Sequence, residues 1–360
     1  MPSPTSSREA VAEVTDAPRR RHPLARYIGI RLLVSVILLF GVTLVTFALT
    51  HLVPADPVQA QLGEQASNDP EIVQAFREKQ GLDKPVPVQY AIYLGHLLHG
   101  NLGTSNVTQL PVRTELGRAF PATVELAIAA IGVSVVLGIG LGLWAALRRQ
   151  RMADQVIRIF SLAGVSAPTF WLALVAYYTL FYKLGLLPGS GRLAPAAVPP
   201  PHVTGFMTID SLLAGDLPLF WDALAHLVLP ASVLALFTIG MLTRFCRSAI
   251  LEVLDLDYVR AARAKGLPRR TVIVRYVLRG AFVPIVTVVG LAFGSLLSGT
   301  VLTEKIFAWH GLGEYAFNGA TKLDLPAVMG VSIVVGVVYI GINLLVDVVY
   351  GLIDPRVRIT

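Results

Sequence analysis

Charged residues and cysteine are both scarce in this sequence of 360 residues. Only 15% of the residues are charged and 54% are hydrophobic, with a mean hydropathy of +0.65, whereas soluble domains average about 25% charged residues. This composition excludes an ordinary soluble domain and predicts a membrane protein. The single cysteine, Cys246, excludes an intramolecular disulfide and a cysteine metal cluster. We expect it to be a small apolar residue near the end of a span.

The motifs of common catalytic and nucleotide-binding sites are also absent. No Gly-x-x-x-x-Gly-Lys-Ser/Thr segment occurs, so we do not expect the chain to bind ATP in the P-loop manner. There is no His-Glu-x-x-His zinc helix and no Gly-x-Ser-x-Gly nucleophile elbow. His96 and His99 have the spacing of one helix face but lack a third ligand nearby. We therefore expect no catalytic residues, no metal and no cofactor bound by this chain.

Long apolar runs, in contrast, are abundant. A membrane-crossing helix needs about 20 mostly apolar residues, and six segments meet that requirement, near 30–52, 121–147, 157–182, 222–243, 280–302 and 328–352. The first run is too long for the core of a secretory signal, so we predict that it remains as a span. We expect residues 1–26 to form a disordered cytosolic tail and residues 27–360 to form an all-α domain of six transmembrane helices.

Basic residues are distributed unevenly between the two sides of these spans. The N-terminal tail, the 148–158 turn, the 244–279 loop and the C-terminus together hold 21 of the 30 Lys and Arg residues. The positive-inside rule then places both termini and the 244–279 loop in the cytosol, so the net charge of +7 is a topology signal rather than a sign of nucleic-acid binding. An external segment, 54–120, and an external loop, 183–221, follow from this topology.

The first external segment carries its own helix signals. We predict short helices over Pro70–Gln80, stopped by Gly81, and over Pro87–His99, stopped by Gly100. The segment would either cap the external mouth and present a docking surface, or form a lid that packs on its own spans.

The cytosolic loop 244–279 holds nine Lys or Arg residues and, at its centre, the signature of a short helix. Asp257 can accept N–H groups of the first turn, Lys265 suits the negative end, and Gly266 can adopt the left-handed cap. Pro268 prevents continuation of the helix. The pattern predicts a rigid helix exposed to water between two spans.

Several polar residues and one proline interrupt the apolar spans. Polar groups within a membrane usually face a bundle interior or a watery cavity, so we select Ser166, Pro168, Thr169, Asn343 and Asp347 as candidates for a translocation pathway or gate. Asp347 could instead reach interfacial water, as could Glu125, and Pro168 could make a fixed bend rather than a moving one.

Three functions are compatible with these features. The first is a permease subunit driven by a separate ATPase, because the chain has a cytosolic helix and no energy-converting site. The second is a secondary transporter, which would need broken helices in repeated halves, and no convincing repeat is present. The third is an intramembrane enzyme, which the missing catalytic motifs disfavour.

The motif Asp-Tyr-Val-Arg-Ala-Ala-Arg-Ala-Lys-Gly-Leu-Pro at 257–268 resembles the cytosolic loop of permeases of ABC-type importers in the dipeptide, oligopeptide and nickel group. The resemblance extends through Leu49–Pro57, Gly81–Pro85, Gly100–Ser105, Gly164–Trp171, Thr303–Gly313 and Asn343–Arg356. Pro188–Arg192 and Thr204–Asp210 look most like the dipeptide branch, in particular its first ("B") permease subunit.

The resemblance implies the type I importer permease fold in a bacterial inner membrane. It also implies partners: a second homologous permease subunit, two cytosolic ATPase subunits that hold ATP and magnesium, and an extracytoplasmic solute-binding protein. Cargo in the group includes dipeptides and short oligopeptides, and in relatives nickel complexes, glutathione or haem. The positions that match the ATPase-coupling motif are Tyr258, Arg260, Ala261, Arg263, Ala264, Lys265, Gly266 and Leu267.

Two positions depart from the family pattern. Arg260 stands where the broader importer motif has glutamate, so a contact that depends on that glutamate is not transferred to this chain. His310 stands where the group usually has proline, which puts the geometry of the turn before the sixth span in question.

Overall fold

A computed structural model describes residues 23–52, 70–71, 73–74 and 83–353 of the chain. Its helices are α1 (Pro23–Leu52), α2 (Val86–Leu98), α3 (Val112–Leu147), α4 (Met152–Ser166), α5 (Thr169–Ala176), α6 (Met207–Leu213), α7 (Leu217–Leu254), α8 (Asp257–Ala264), α9 (Arg279–Gly299), α10 (Val301–Ile306), α11 (Leu312–Thr321) and α12 (Leu325–Ile353). A π-helix, Tyr177–Lys183, continues α5. A short turn, Arg269–Thr271, and a second π-helix, Val272–Leu278, lead into α9.

The membrane spans are confirmed, with one of them broken. Five helices are long and apolar enough to cross a membrane, and α4 with α5 and its π-helical continuation supplies a sixth when the bent pair is counted as one span. The described chain contains no β-strand beyond one isolated bridge between Thr104 and Pro111. The all-α, polytopic prediction is therefore correct.

The helices extend beyond the predicted spans. Helices α3 and α7 contain 36 and 38 residues, which at 1.5 Å per residue makes each about 55 Å long, against a hydrocarbon core of about 30 Å. Hydropathy detects only the part of a helix that is apolar enough for lipid, so it misses the turns that continue outside the membrane.

The predictions for the N-terminal third are only partly covered by the described residues. The predicted disordered tail, 1–26, lies mainly outside them, and α1 begins at Pro23. The predicted helix Pro70–Gln80 also lies mostly outside them. The second short helix is confirmed as α2, and Gly100 takes a φ of 72° just after its end.

Helix α7 forms the centre of the bundle, with α3 and α4 packed along it. Gly142 of α3 allows close contact, since a Cβ there would lie 2.8 Å from Cys246 Cβ and 2.9 Å from the Thr243 carbonyl oxygen. Cys246 is buried near the end of α7, as its apolar context predicted. Because successive spans alternate in direction, the α3–α4 turn and α8 lie at one end of the bundle, while α6, α10 and α11 lie at the other.

Candidate coupling helix and central cavity

Helix α8 is a self-contained helix with a C-terminal cap of the predicted kind. Gly266 has a φ of 72°, and its N–H donates to the Arg263 carbonyl at 2.9 Å while the Leu267 N–H donates to the Ala262 carbonyl at 3.4 Å. This pair of bonds is the Schellman arrangement, in which glycine takes the left-handed position. The predicted stop of the helix is therefore correct.

The prediction that Asp257 caps the N-terminus of α8 is wrong. Leu256 occupies the N-cap position and no side chain caps the helix, while Asp257 is the first helical residue. Since Leu256 already has the extended backbone of a cap residue, Asp257 lies one position too far along the chain for its carboxylate to serve there. Its negative charge still suits the positive end of the helix dipole.

The two faces of α8 have different surroundings. Val259 and Ala262, three residues apart, are buried in a cluster with Ile250 and Val253 of α7. The cluster also includes Ala146, Val272, Val277, Ala281 and Ile285, from α3, the second π-helix and α9. Of the predicted coupling residues, the exposed ones are Tyr258, Arg260, Ala261, Arg263, Ala264, Lys265 and Gly266, and Leu267 is half-buried. The helix thus packs into a cluster to which three spans contribute, and it presents most of its predicted contact residues to solvent.

Gly280 at the start of α9 is part of this packing and was missed by the sequence analysis. A Cβ on Gly280 would overlap the Tyr258 hydroxyl and lie 2.9 Å from Val253 Cγ1. Tyr258 crosses α9 at this point, since its hydroxyl lies 3.5 Å from the Tyr276 carbonyl oxygen. The residue lies within the family-like block, but nothing in its local sequence indicates which side chain covers it.

The basic residues around α8 are not equivalent. Arg260 folds back, because its guanidinium donates to the Asp255 carbonyl at 2.8 Å. Arg263 instead lines a cavity of about 510 Å³ beside Arg149 and Arg269. Arg263, Lys265 and the outer edge of Arg260 are therefore cations that this face offers to a partner.

A buried ion pair joins α4 to α7 at the same end of the bundle. Arg247 Nε and Nη2 donate to Asp154 Oδ1 and Oδ2 at 2.6 and 2.8 Å, and the Gln150 N–H donates to the same carboxylate at 3.0 Å. Asp154 is 1% exposed. A two-pronged, buried pair of this kind fixes the relative position of the helices that carry it. Arg247, one of the nine Lys or Arg residues of the 244–279 loop, therefore joins two helices of this chain through its ion pair with Asp154.

Pro168 breaks the third span, as its sequence predicted. Helices α4 and α5 meet at 98°, and a cavity of about 350 Å³ lies against the break. Ser166, Pro168 and Thr169 line it together with Thr238 of α7 and Ser295 of α9. Three of the five candidate pathway residues are thus brought together at one cavity.

The other two candidates lie elsewhere. Asp347 Oδ1 is 3.1 Å from Arg31 Nη2, which ties α12 to α1, and the Asn343 side-chain amide donates to the Tyr339 carbonyl at 3.0 Å on the same helix. Neither residue lines the cavity at the α4–α5 break.

At the opposite end of the bundle, Glu125 of α3 anchors the loop between α5 and α7. It accepts from Arg192 Nη2 at 2.5 Å and from the Thr208 hydroxyl and N–H at 2.6 and 2.9 Å. Arg192 also donates to the Gly205 carbonyl at 2.7 Å. The two blocks that look most like the dipeptide branch, Pro188–Arg192 and Thr204–Asp210, therefore meet at one carboxylate. Glu125 was considered as a pathway residue, and its contacts are instead those of a loop anchor.

Two buried acids at this end have shifted pKa values. Burial alone would raise the pKa of Asp210, but hydrogen bonds from the Thr204 hydroxyl and from the N–H groups of Thr204, Gly205 and Val203 outweigh it and lower the pKa. Burial raises the pKa of Glu304, which the bonds from Thr123, Thr300 and nearby N–H groups only partly oppose. Both carboxyls hold nearby backbone segments in place through these hydrogen bonds.

The turn at His310 has a geometry that excludes proline. His310 has a φ of 57°, and its N–H donates to Glu314 at 2.9 Å, whereas proline has a φ near −65° and no N–H. Its neighbour Trp309 is 1% exposed and donates its indole N–H to the Ala122 carbonyl at 2.8 Å. A proline at position 310 would therefore require a different turn from the one in this chain.

Together, the membrane-crossing bundle, the broken span beside a cavity and the exposed helix at one end define a multi-pass membrane permease. The family described as "Binding-protein-dependent transport system inner membrane component" matches residues 138–359, and its N-terminal companion matches residues 24–127. The chain belongs to this family.

Relatives agree with that assignment over almost the whole chain. The chain is 45% identical to the "Probable D,D-dipeptide transport system permease protein DdpB" of Escherichia coli (strain K12), covering 89% of this chain and 94% of the relative. It is 43% identical to the "Di/tripeptide transport system permease protein DppB" of Pseudomonas aeruginosa (strain UCBPP-PA14), covering 92% and 98%. These relatives confirm the resemblance to the dipeptide group. A chain in a structure of inward-facing MetNI methionine ABC transporter is similar at a TM-score of 0.47 and 15% identity, covering 66% of this chain and 96% of that one.

Proposed function

We propose that this chain is a permease subunit of an ATP-driven importer that moves dipeptides or short oligopeptides into the cytosol. An extracytoplasmic binding protein delivers the peptide, a second homologous permease completes the membrane pathway, and two cytosolic ATPase subunits bind ATP and magnesium. The observation that carries the proposal is α8, a stiff helix with one face packed on three spans and the other exposed. The peptide cargo is supported by the names of the two relatives.

The proposed mechanism is rigid coupling through α8. ATP binding closes the ATPase dimer and displaces the exposed face formed by Tyr258 to Leu267. The displacement passes through Val259 and Ala262 into the buried cluster beneath α8. Because that cluster joins the ends of α3, α7 and α9, a movement of α8 changes the packing of three spans at once. Close-packed interiors transmit such displacements instead of absorbing them.

The cavity at the α4–α5 break is the proposed gate. A break at Pro168 leaves backbone groups without helical partners, and such groups are tolerated in a membrane where they line a cavity. Ser166 and Thr169 add hydroxyls that can bond the amide groups of a peptide. Asn343 and Asp347 stay predictions as pathway residues, because their contacts in this chain are with α1 and α12.

The orientation in the membrane and the identity of the cargo rest on different observations. The distribution of Lys and Arg supports cytosolic termini in the bacterial inner membrane. The same architecture could carry nickel complexes, glutathione or haem, and a secondary transporter would need no ATPase. Identification of the compound retained by a binding protein that copurifies with the complex distinguishes these cargoes.

The coupling role is tested by charge reversal on α8 in the assembled complex. We expect Arg260→Glu with Arg263→Glu to reduce peptide uptake and binding-protein-stimulated ATP hydrolysis at least about tenfold, because cations at a docking face become anions. The matched control is Arg148→Glu with Arg151→Glu, which makes the same charge change on exposed residues at the same end. Unchanged uptake in the α8 variant, with assembly intact, would refute the coupling role.

A further inference from the structure

A third cavity lies between α4 and α7, about 500 Å³ in volume, at the end of the bundle that carries α8. Three of its lining residues are arginines, Arg158, Arg244 and Arg247, and the polar side chains of Ser161 and Thr243 lie among them. The proposed coupling and gating use neither Arg158 nor Arg244, so this cluster of cations is not explained by the proposed function.

The charges around this cavity do not balance. Arg247 is held by Asp154 through two hydrogen bonds. Arg158 and Arg244 form no ion pair with any carboxylate in the described part of the chain, and Arg244 lies over the Phe245 ring at 5.9 Å. Asp154 is one turn from Arg158 on α4 and its carboxylate also interacts with Arg158, so one carboxylate faces three guanidinium groups, and this excess of positive charge favours an anionic ligand with several oxygen atoms.

Thr243 provides an independent indication of a ligand. The residue is 1% exposed, and its hydroxyl oxygen is buried without a hydrogen-bond partner among the described residues. Buried hydroxyls are nearly always bonded. Thr243 lines the cavity, so a change of its side-chain rotamer would let this unpartnered hydroxyl donate to an acceptor bound there.

The surroundings identify the membrane as the source of the anion. Ile159, Phe160 and Leu162 of α4 are 66%, 73% and 58% exposed beside the cavity, as expected of side chains that contact acyl chains. Arg244 directly follows the predicted span 222–243, and Arg158 lies at the start of the predicted span 157–182. The cavity is therefore at the level where headgroups meet the ends of the spans, and basic cavities between helices at that level bind anionic lipids.

We propose that the α4–α7 cavity binds the phosphate of an anionic phospholipid headgroup, with Arg158 and Arg244 as its cations and Thr243 as a hydroxyl donor. Arg247, fixed by Asp154, positions the wall of the site. The acyl chains lie along the exposed apolar face of α4. Since this face leads toward the break at Pro168, a bound lipid would brace the half of the broken span that precedes the gate.

The test is lipid titration of the full chain, delipidated in detergent, with native mass spectrometry as the measurement. We expect phosphatidylglycerol to bind about tenfold more tightly than phosphatidylcholine, since only the former carries a net negative charge. Arg158→Gln with Arg244→Gln should remove that preference, and Thr243→Val should weaken phosphatidylglycerol binding severalfold. Arg148→Gln with Arg151→Gln, an equal loss of charge outside the cavity, should leave it unchanged.

Two competition measurements distinguish a lipid phosphate from a free phosphate or a peptide carboxylate as the bound anion. Inorganic phosphate or a dipeptide carboxylate at millimolar concentration should not displace phosphatidylglycerol, and displacement by either would overturn the lipid assignment. Equal affinity for both lipids, or an equal effect of the cavity and control variants, would overturn the site itself. Arg158→Gln with Arg244→Gln could lower the melting temperature and so weaken binding indirectly. Arg158→Lys with Arg244→Lys keeps both charges, and this variant should still bind phosphatidylglycerol more tightly than phosphatidylcholine.

Discussion

Single carboxyl groups hold the loop between α5 and α7 in place, and Asp210 and Glu125 each accept four hydrogen bonds. Asp210 bonds only within the loop and α6. It is 2% exposed and accepts from the Thr204 hydroxyl at 2.7 Å and from the N–H groups of Thr204 and Gly205 at 2.8 Å each. Both of its oxygens act as acceptors, so an amide in its place would turn two donors toward N–H groups that need an acceptor.

We therefore expect Asp210→Asn to reduce the free energy of unfolding at neutral pH by about 2 kcal/mol. The folded-state pKa of Asp210 is lowered, so its contribution is present above the pKa of the unfolded chain and is lost as the pH falls through the folded-state value. Thermal unfolding of the purified protein at a series of pH values measures both effects.

The control for this prediction is Asp216→Asn. Asp216 is exposed and caps α7 by accepting from the Leu219 N–H at 3.0 Å, and asparagine caps a helix about as well as aspartate. An equal loss of stability in the two variants would show that burial and multiple bonding of Asp210 are not what matters.

At the scale of the element, the coupling role proposed for α8 depends on its packing against the spans and not only on its covalent connections to them. Its buried residues, Val259 and Ala262, hold it on the ends of three spans, and Gly280 leaves room for Tyr258 across α9. A helix of eight residues would be marginal alone in water. Its stability here comes from packing, and the proposed transmission of force depends on the same contacts.

We expect Gly280→Ala to shift α8 and reduce binding-protein-stimulated ATP hydrolysis severalfold, because the new methyl group overlaps the Tyr258 hydroxyl. Adding Tyr258→Phe should restore part of the activity by removing that hydroxyl, while the contact with Val253 remains. Gly341→Ala in α12 is the control, since a Cβ there meets nothing within 4 Å. If Gly280→Ala does not reduce ATP hydrolysis, or if Tyr258→Phe does not restore part of it, the result would count against rigid coupling through the packing of α8.

At the scale of the whole molecule, the two ends of the bundle have different chemistry. Among the described residues, one end holds the α3–α4 turn, α8 and most of the arginines. The other end holds most of the buried carboxyls, including Glu125, Asp210 and Glu304, while Asp154 is buried at the arginine-rich end. This asymmetry agrees with the orientation proposed from the sequence, in which the arginine-rich end lies in the cytosol.

The lone cysteine makes that orientation directly measurable. Cys246 is 1% exposed, so the wild-type chain should react poorly with a membrane-impermeant maleimide. In a Cys246→Ala background, we expect Lys265→Cys on the α8 side to be labelled only in inside-out vesicles. Leu213→Cys on α6, which is 61% exposed, should be labelled only in right-side-out preparations. The reverse pattern would invert the proposed topology.

The sequence was sufficient for those features that depend on one segment at a time. Apolar length predicted the spans, Gly266 predicted the end of α8, and Pro168 predicted the break between α4 and α5. Each of these is set by local backbone chemistry or by partition into lipid, which act over a few neighbouring residues. The N-cap at Asp257 failed by one position, because cap geometry depends on the chain that enters the helix.

The tertiary structure alone decided which residues meet. Arg192 and Glu125 are 67 positions apart, Arg247 and Asp154 are 93 apart, and Thr123 and Glu304 are 181 apart. It also separated Asn343 and Asp347 from the cavity and revealed the unpaired Thr243 hydroxyl. Composition and hydropathy determine that a segment enters the membrane, but only side-chain packing between helices determines which of its faces meets lipid, cavity or partner.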